Sequence, residues 1–191
     1  MTPEPRHQVV VERVTALAAV DLEDLCDATD AAILDGNGFG WLHPPVRDRL
    51  EAYYKGVIIV PERELFVGRL DGRIVASAQL WRAPRNNEAQ VFAGTVTAHW
   101  VAPWARGHGL ARMLLAVVEQ RAAELGIAYL KLDVRETQTA AIQLYEANGY
   151  EHWGTLPAYA RIAGALVAGR FYVKRLPRAK GRKSAASGPG A

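Results

Sequence analysis

Two glycines stand one residue apart at Gly107 and Gly109, directly after Arg106, in a stretch from Trp100 to Arg112 that reads WVAPWARGHGLAR. Residues of these types can hold an anion. Glycine lets a ligand approach the backbone where a Cβ would keep it away. The amides that open a helix converge on negative charge, which the helix dipole also favours. The chemistry implied is the grip of a phosphate-bearing molecule. A Walker-type loop would need Gly-x4-Gly-Lys-Ser/Thr, and no Lys-Ser/Thr pair follows. A dinucleotide fingerprint would need a third glycine where Arg112 stands. Asp133 does lie where a ribose-binding acid would be, but the chain offers no second mononucleotide-binding half.

The elements that must position this loop follow from periodicity. Residues 8–14 are β-branched and predict a first strand. Residues 21–34 carry Leu22, Leu25, Cys26, Thr29 and Ile33 at helical spacing, with Gly36 and Gly38 to end the helix. A second helix is expected after Pro44-Pro45, running to Gly56. Residues 64–70 and 73–81 read as strands joined at Asp71-Gly72, a two-residue hairpin signal. A polar loop at 83–88 precedes an extended run, 92–101, that feeds into the glycines. Beyond them Leu110, Leu114, Val117, Val118 and Leu125 mark an amphipathic helix that stops at Gly126. A strand at 128–134, a helix over Thr139–Ala147 and strands at 151–156 and 171–176 complete the chain. This order predicts an α/β domain of three layers, α/β/α, around a mixed, mostly antiparallel sheet.

The chain of 191 residues, half of them hydrophobic, is long enough to bury a core as one domain. A single domain is expected over residues 1–177, followed by a basic, disordered tail at 178–191. After Glu151 there is no acidic residue but eight basic ones, whereas residues 1–151 carry 15 basic against 20 acidic side chains. The acidic body suits a cationic ligand. The tail lacks interleaved aromatics, so a nucleic-acid role is disfavoured. Cys26, the only cysteine, is expected to be buried, and no intrachain disulfide can form. The start MTPEPRHQ has no apolar core of a signal peptide, and no apolar run reaches about 18 residues. A cytoplasmic location without membrane contact is expected. His7, His43, His99, His108 and His152 show no metal-ligand spacing, so no metal is expected.

Pro103-x-x-Arg106-Gly107-x-Gly109-Leu110-Ala111 resembles the acetyl-CoA signature of the GNAT N-acetyltransferases, Arg/Gln-x-x-Gly-x-Gly/Ala. A second segment, Leu132-x-Val134 with Ala141, Leu144-Tyr145 and Gly149-Tyr150, is similar to that family's second CoA segment. Together the two span residues 100–150, and the element order is also the family's. The run at residues 75–80 and Leu156-Pro157-x-Tyr159 look like the tabtoxin-resistance type. The resemblance implies a GNAT fold and acetyl transfer from acetyl-CoA, as co-substrate, to a primary amine, here that of a small molecule, by direct attack in a ternary complex. It also implies a CoA site at Trp100, Val101, Arg106, Gly107, Gly109, Leu110, Ala111, Gln138 and Tyr145. His108 is a solvent-facing spacer in the loop, within reach of a phosphate. Gln138 stands where the family usually has Asn.

By the same resemblance Tyr145 is the general acid for the departing thiolate, since a phenol is neutral at physiological pH. A backbone N–H at Trp100-Val101 is expected to meet the oxyanion, and the pantetheine arm to lie along that backbone like an added strand. The base is open. Thr95 stands where related enzymes often carry Glu, leaving Asp133, His99 or Glu88 as substitutes. The first two helices, the loop 83–88 and residues 159–170 are expected to frame the acceptor pocket, with Trp41, Trp81 and Tyr159 as candidate walls for an organic cation. Two alternatives stand beside the small-molecule enzyme: a catalytically silent acyl-CoA-binding regulatory module, and a protein amino-group acetyltransferase. A homodimer is compatible with all three.

Overall fold

The computed structural model describes residues 7–37 and 40–177; the expected basic tail at 178–191 and Gly38 lie outside the described residues. The chain runs β1 (Val9–Val14), α1 (Ala19–Ala32), α2 (Arg47–Ile59), β2 (Arg63–Leu70), β3 (Arg73–Arg82), β4 (Ala93–Val101), α3 (Leu110–Glu124), β5 (Tyr129–Arg135), α4 (Thr139–Ala147), β6 (Glu151–Ile162) and β7 (Ala165–Arg175). The strands form one sheet in the order β1-β2-β3-β4-β5-β7-β6. Among the described residues only β4 and β5 pair in parallel. The expected mixed, mostly antiparallel sheet is therefore present.

Side-chain pairs show which helices cover which face. On β2, Glu64 accepts from Arg121 of α3 (2.8 Å), so even-numbered residues there look toward α3. Leu65 points the other way, and its register partner Gln79 donates to Tyr53 of α2 (2.9 Å). α1 joins α2 on that face, where its Asp21 accepts from the odd-numbered Arg69 of β2 (2.7 Å). Helices thus cover both faces, which gives the three layers. The core is continuous between them, with Leu25, Cys26, Leu50, Tyr54, Leu80, Leu114 and Val118 buried. At Asp71-Gly72 both residues have positive φ (50° and 86°), the signature of a type I′ hairpin turn.

The structure departs from the sequence reading at two elements. α2 does not stop at Gly56 but continues to Ile59, because Val57 is buried in the core. One glycine inside a helix costs only about 1 kcal/mol, which such burial outweighs. The strand expected at 151–156 runs on to Ile162, and the one expected at 171–176 begins at Ala165. β6 and β7 form a long hairpin that turns at Ala163-Gly164, both at positive φ (47° and 85°). Two register shifts in β6, at His152/Gly154 and Leu156/Ala160, break the period-two alternation by which a strand is read.

Candidate active site

β4 and β5 pair only from Ala93 to Thr95, opposite Tyr129 to Lys131. Beyond Thr95, β4 stays with β3 while β5 continues beside β7, so a V opens in the sheet. In β4, Thr97 opposes Gln79 and Trp100 opposes Ser77, leaving Ala98 and His99 against Ala78 alone. This is a β-bulge, and Ala98 takes φ 47°. Past it, the Ala102 N–H bonds to Val75 O (2.8 Å). Alternation along an antiparallel ladder then turns the Val101 N–H to the opposite edge, into the V.

Two cavities flank the V and meet at His99, Gln138, Ala141 and Tyr145. The first, of about 590 Å³, reaches from Val96–His99 to Asp133 and Arg135 on β5, Tyr159 and Arg161 on β6, and Trp41. The second, of about 610 Å³, lies along Trp100 and Val101 and under the glycine loop, from Arg106 to Arg112. Gly107 and Gly109 both adopt positive φ (86° and 78°). The first i→i−4 bond of α3 runs from Met113 N–H to Gly109 O (3.1 Å), so the amides of Leu110, Ala111 and Arg112 precede it. A helix N-terminus with those amides, an arginine and no Cβ at two loop positions fits a pyrophosphate.

Each sequence-predicted residue has a definite place. Arg106, Gly107, Gly109, Leu110, Ala111, Trp100, Val101, Gln138 and Tyr145 line the second cavity. Trp100 contributes its backbone, since its side chain is buried in the core. His108 lines neither cavity: its Nδ1 reaches the Ala105 and Arg106 carbonyls (3.3 and 3.1 Å) and its ring meets His7 edge-on. It is a half-buried brace of the loop, not a solvent-facing spacer. Asp133 lines the first cavity and His99 both. Glu88, Thr95 and Trp81 line neither, and Trp81 instead lies under the Arg63 guanidinium (4.5 Å). They sit toward the paired start of β4, whereas both cavities surround its splayed end.

His99 is held on two sides. Its Nε2 lies 3.0 Å from the Ala111 carbonyl, which can only accept, so Nε2 carries the proton. Nδ1 is then the acceptor for the Tyr145 hydroxyl, 3.1 Å away. Burial pushes the imidazole down to about 4, against the opposing pull of the Ala111 carbonyl. The ring is neutral at pH 7. Burial, and then the charge of Asp133, push the Tyr145 phenol well above its ordinary range, so it keeps its proton. Asp133 itself accepts from Tyr159.

Several contacts had no signal in the linear sequence. Asp35, just beyond α1, pairs with Arg106, and the Gly36 carbonyl accepts from Arg135 (2.6 Å) and Gln138 (2.8 Å). These partners are 71 to 102 residues apart, and nothing in composition or spacing joins them. Among the described residues no cluster of three His, Cys, Asp or Glu side chains could hold a metal ion, and no helix is long and apolar enough to cross a membrane.

Comparison with known proteins matches this arrangement. The model of the acetyltransferase (GNAT) family matches residues 25–150. An uncharacterized N-acetyltransferase of the hisH-hisA intergenic region of Azospirillum brasilense is 59% identical over 130 residues, covering 68% of this chain and 77% of that protein. The crystal structure of an N-acetyltransferase from Staphylococcus aureus Mu50 superposes with a TM-score of 0.76 at 19% identity, over 89% of this chain and 99% of that one. A GNAT phosphinothricin acetyltransferase from Sinorhizobium meliloti, solved with acetyl-CoA, superposes with a TM-score of 0.72 at 20% identity, over 94% of both chains. The chain belongs to the GNAT acetyltransferase family and is an acetyl-CoA-dependent N-acetyltransferase.

Proposed function

We propose that this enzyme moves the acetyl group of acetyl-CoA onto the primary amine of a small molecule, by direct attack where the two cavities meet. The single observation that carries the reading is the convergence of both cavities on Tyr145 and His99. The first cavity is walled by three strands and by Trp41 and Leu42, and its volume suits a small organic amine. Residues 1–177 act as the one catalytic domain.

In this reading the amides of Leu110 to Arg112 and the Arg106 guanidinium hold the pyrophosphate of the donor. The pantetheine arm lies along the unpaired edge of β4 past Trp100 and Val101, and Gln138 serves it from α4. The acceptor enters over Asp133, and the proton of its ammonium departs there through water. The free amine attacks the thioester carbon, and the Val101 N–H receives the charge that develops on the carbonyl oxygen. As the carbon–sulfur bond breaks, Tyr145 gives its proton to the thiolate, a stronger acceptor than the neutral Nδ1 of His99, and the surplus proton on the nitrogen of the new amide leaves through water to restore the phenol. His99 holds the phenol in place; its depressed basicity makes it a poor base at pH 7.

The test is a panel of acceptors assayed for free CoA thiol with purified protein and acetyl-CoA: glutamate, methionine, lysine, ethanolamine, spermidine and a hexapeptide with a free N-terminal alanine. At least one small amine should exceed the peptide in kcat/KM by about a hundredfold or more. Preference for the peptide would overturn the small-molecule reading in favour of a protein acceptor.

A further inference from the structure

On β6 the register passes from Leu156 opposite Gly169 to Ala160 opposite Val167. Residues 157–159 therefore bulge out against Ala168 alone. Pro157 has no N–H to give to a ladder, which suits it to such a place. Ala168 is engaged from the other side, its carbonyl accepting from the Glu136 N–H of the chain just beyond β5 (2.9 Å). The bulge carries Tyr159 back across the hairpin, so that its ring lies over Gly169 of β7. A Cβ at residue 169 would fall 2.2 Å from Cγ of Tyr159, and 2.5 and 2.7 Å from the two Cδ atoms. No side chain fits there while the ring stays. Phe171 meets the same ring edge-on, with centroids 5.8 Å apart at 86°. Gly169 and Phe171 together fix where the hydroxyl ends, and it ends on Oδ2 of Asp133.

Burial, and then the bond to Asp133, push the Tyr159 phenol upward, so the phenol is the donor and the carboxylate the acceptor. Asp133 also acts on the Tyr145 phenol through its charge, which sets this carboxylate beside the centre where the cavities meet. Oδ1 lies outside the bond to Tyr159. An otherwise exposed aspartate is thereby tied by one oxygen and keeps the other.

We propose that Tyr159, seated on Gly169, is a positioning residue that orients Asp133 to receive the acceptor as a cation, so that the enzyme selects amines that are protonated when they arrive. This rests on the reading of the first cavity as the acceptor site. Tyr159 acts through Asp133, and Gly169 acts through Tyr159.

The experiment measures steady-state kinetics with the best small amine of the panel above, together with acetyl-CoA affinity and melting temperature, for five variants: Tyr159→Phe, Gly169→Ala, Tyr159→Ala, the Tyr159→Ala/Gly169→Ala double and Ala160→Trp. Tyr159→Phe keeps the ring on Gly169 and removes only the hydroxyl. It should raise the acceptor KM about tenfold, the effect of losing a hydrogen bond to a charged group, with kcat and acetyl-CoA affinity changed less than about twofold. Gly169→Ala should raise KM as much by dislodging the ring. In a Tyr159→Ala background the same Gly169→Ala change should add nothing, since the collision is gone; a merely structural glycine would not lose its effect there. Ala160→Trp, which fills the cavity from β6, should raise KM whether or not Tyr159 orients Asp133. An unchanged acceptor KM in Tyr159→Phe, or equal Gly169→Ala effects in both backgrounds, would overturn the proposal while Ala160→Trp still blocks the acceptor. An unchanged KM in Ala160→Trp would overturn the cavity assignment, and the proposal with it.

Discussion

The Nδ1 of His99 accepts the hydroxyl of Tyr145, 3.1 Å away, because the other ring nitrogen is committed to the Ala111 carbonyl at 3.0 Å. One backbone carbonyl in the first turn of α3 thus sets the tautomer of a β4 histidine, and the histidine holds a phenol of α4. Three elements meet in this pair, and the β4 bulge at Ala98 and His99 turns the imidazole toward it. The opening of β4 away from β5 lets both cavities reach the same place.

The neutral state of His99 makes a prediction about stability. Its folded pKa, about 4, lies below the ordinary 6.5, so the folded state binds the proton less well than the unfolded state. The contribution is fully present above pH 6.5 and is lost as pH falls toward 4. Between pH 7 and 4.5 the loss from this residue should be about 2 to 3 kcal/mol. Denaturant unfolding of the wild type and of His99→Asn at both pH values measures it. The variant should lose less stability on acidification by that amount, and equal losses would contradict the burial of a neutral imidazole.

Asp35 pairs with Arg106, the arginine proposed for the pyrophosphate, so carboxylate and phosphate would compete for one guanidinium. Asp35→Asn should tighten acetyl-CoA binding by a few-fold, in keeping with the modest worth of an exposed ion pair. Arg106→Ala should weaken it by about tenfold and flatten its dependence on salt. Isothermal titration at two ionic strengths gives both values. Unchanged affinity in Arg106→Ala would remove that residue from the donor site.

Gly109 caps α3 at φ 78°, a left-handed conformation that costs other residues about 1 to 2 kcal/mol. Nothing beyond its own stretch of chain lies within 4 Å of where its Cβ would be, so the strain is conformational rather than steric. Gly109→Ala should lower the stability of the protein by about 1 kcal/mol and weaken acetyl-CoA more than it slows turnover. Thermal melts with and without acetyl-CoA separate the two effects.

How far the sequence carries can be seen at particular residues. The glycine loop and the helix after it are local, so chain order alone places Arg106 to Ala111 at a strand–helix junction. The hairpin at Asp71-Gly72 is local too, and its two residues announce the turn. What sequence missed is either irregular or distant. The bulges of β6 hide a strand of twelve residues behind broken alternation. The Asp35–Arg106 pair joins residues 71 apart. The role of Gly169 appears only once the ring of Tyr159 is seen lying on it. Glu88 and Trp81 drew attention by type, but strand direction takes them away from the splayed end of β4.

The most direct test of Tyr145 as the proton donor is Tyr145→Phe, compared with wild type for kcat of CoA release and for the dissociation constant of acetyl-CoA. The substitution removes one hydroxyl from a buried ring and leaves its packing against Tyr150 and Tyr172 intact. In Tyr145→Phe, kcat should fall by about a hundredfold or more while acetyl-CoA affinity changes by less than about threefold. Turnover equal to that of the wild type, with the same affinity, would show that the thiolate takes its proton from another group.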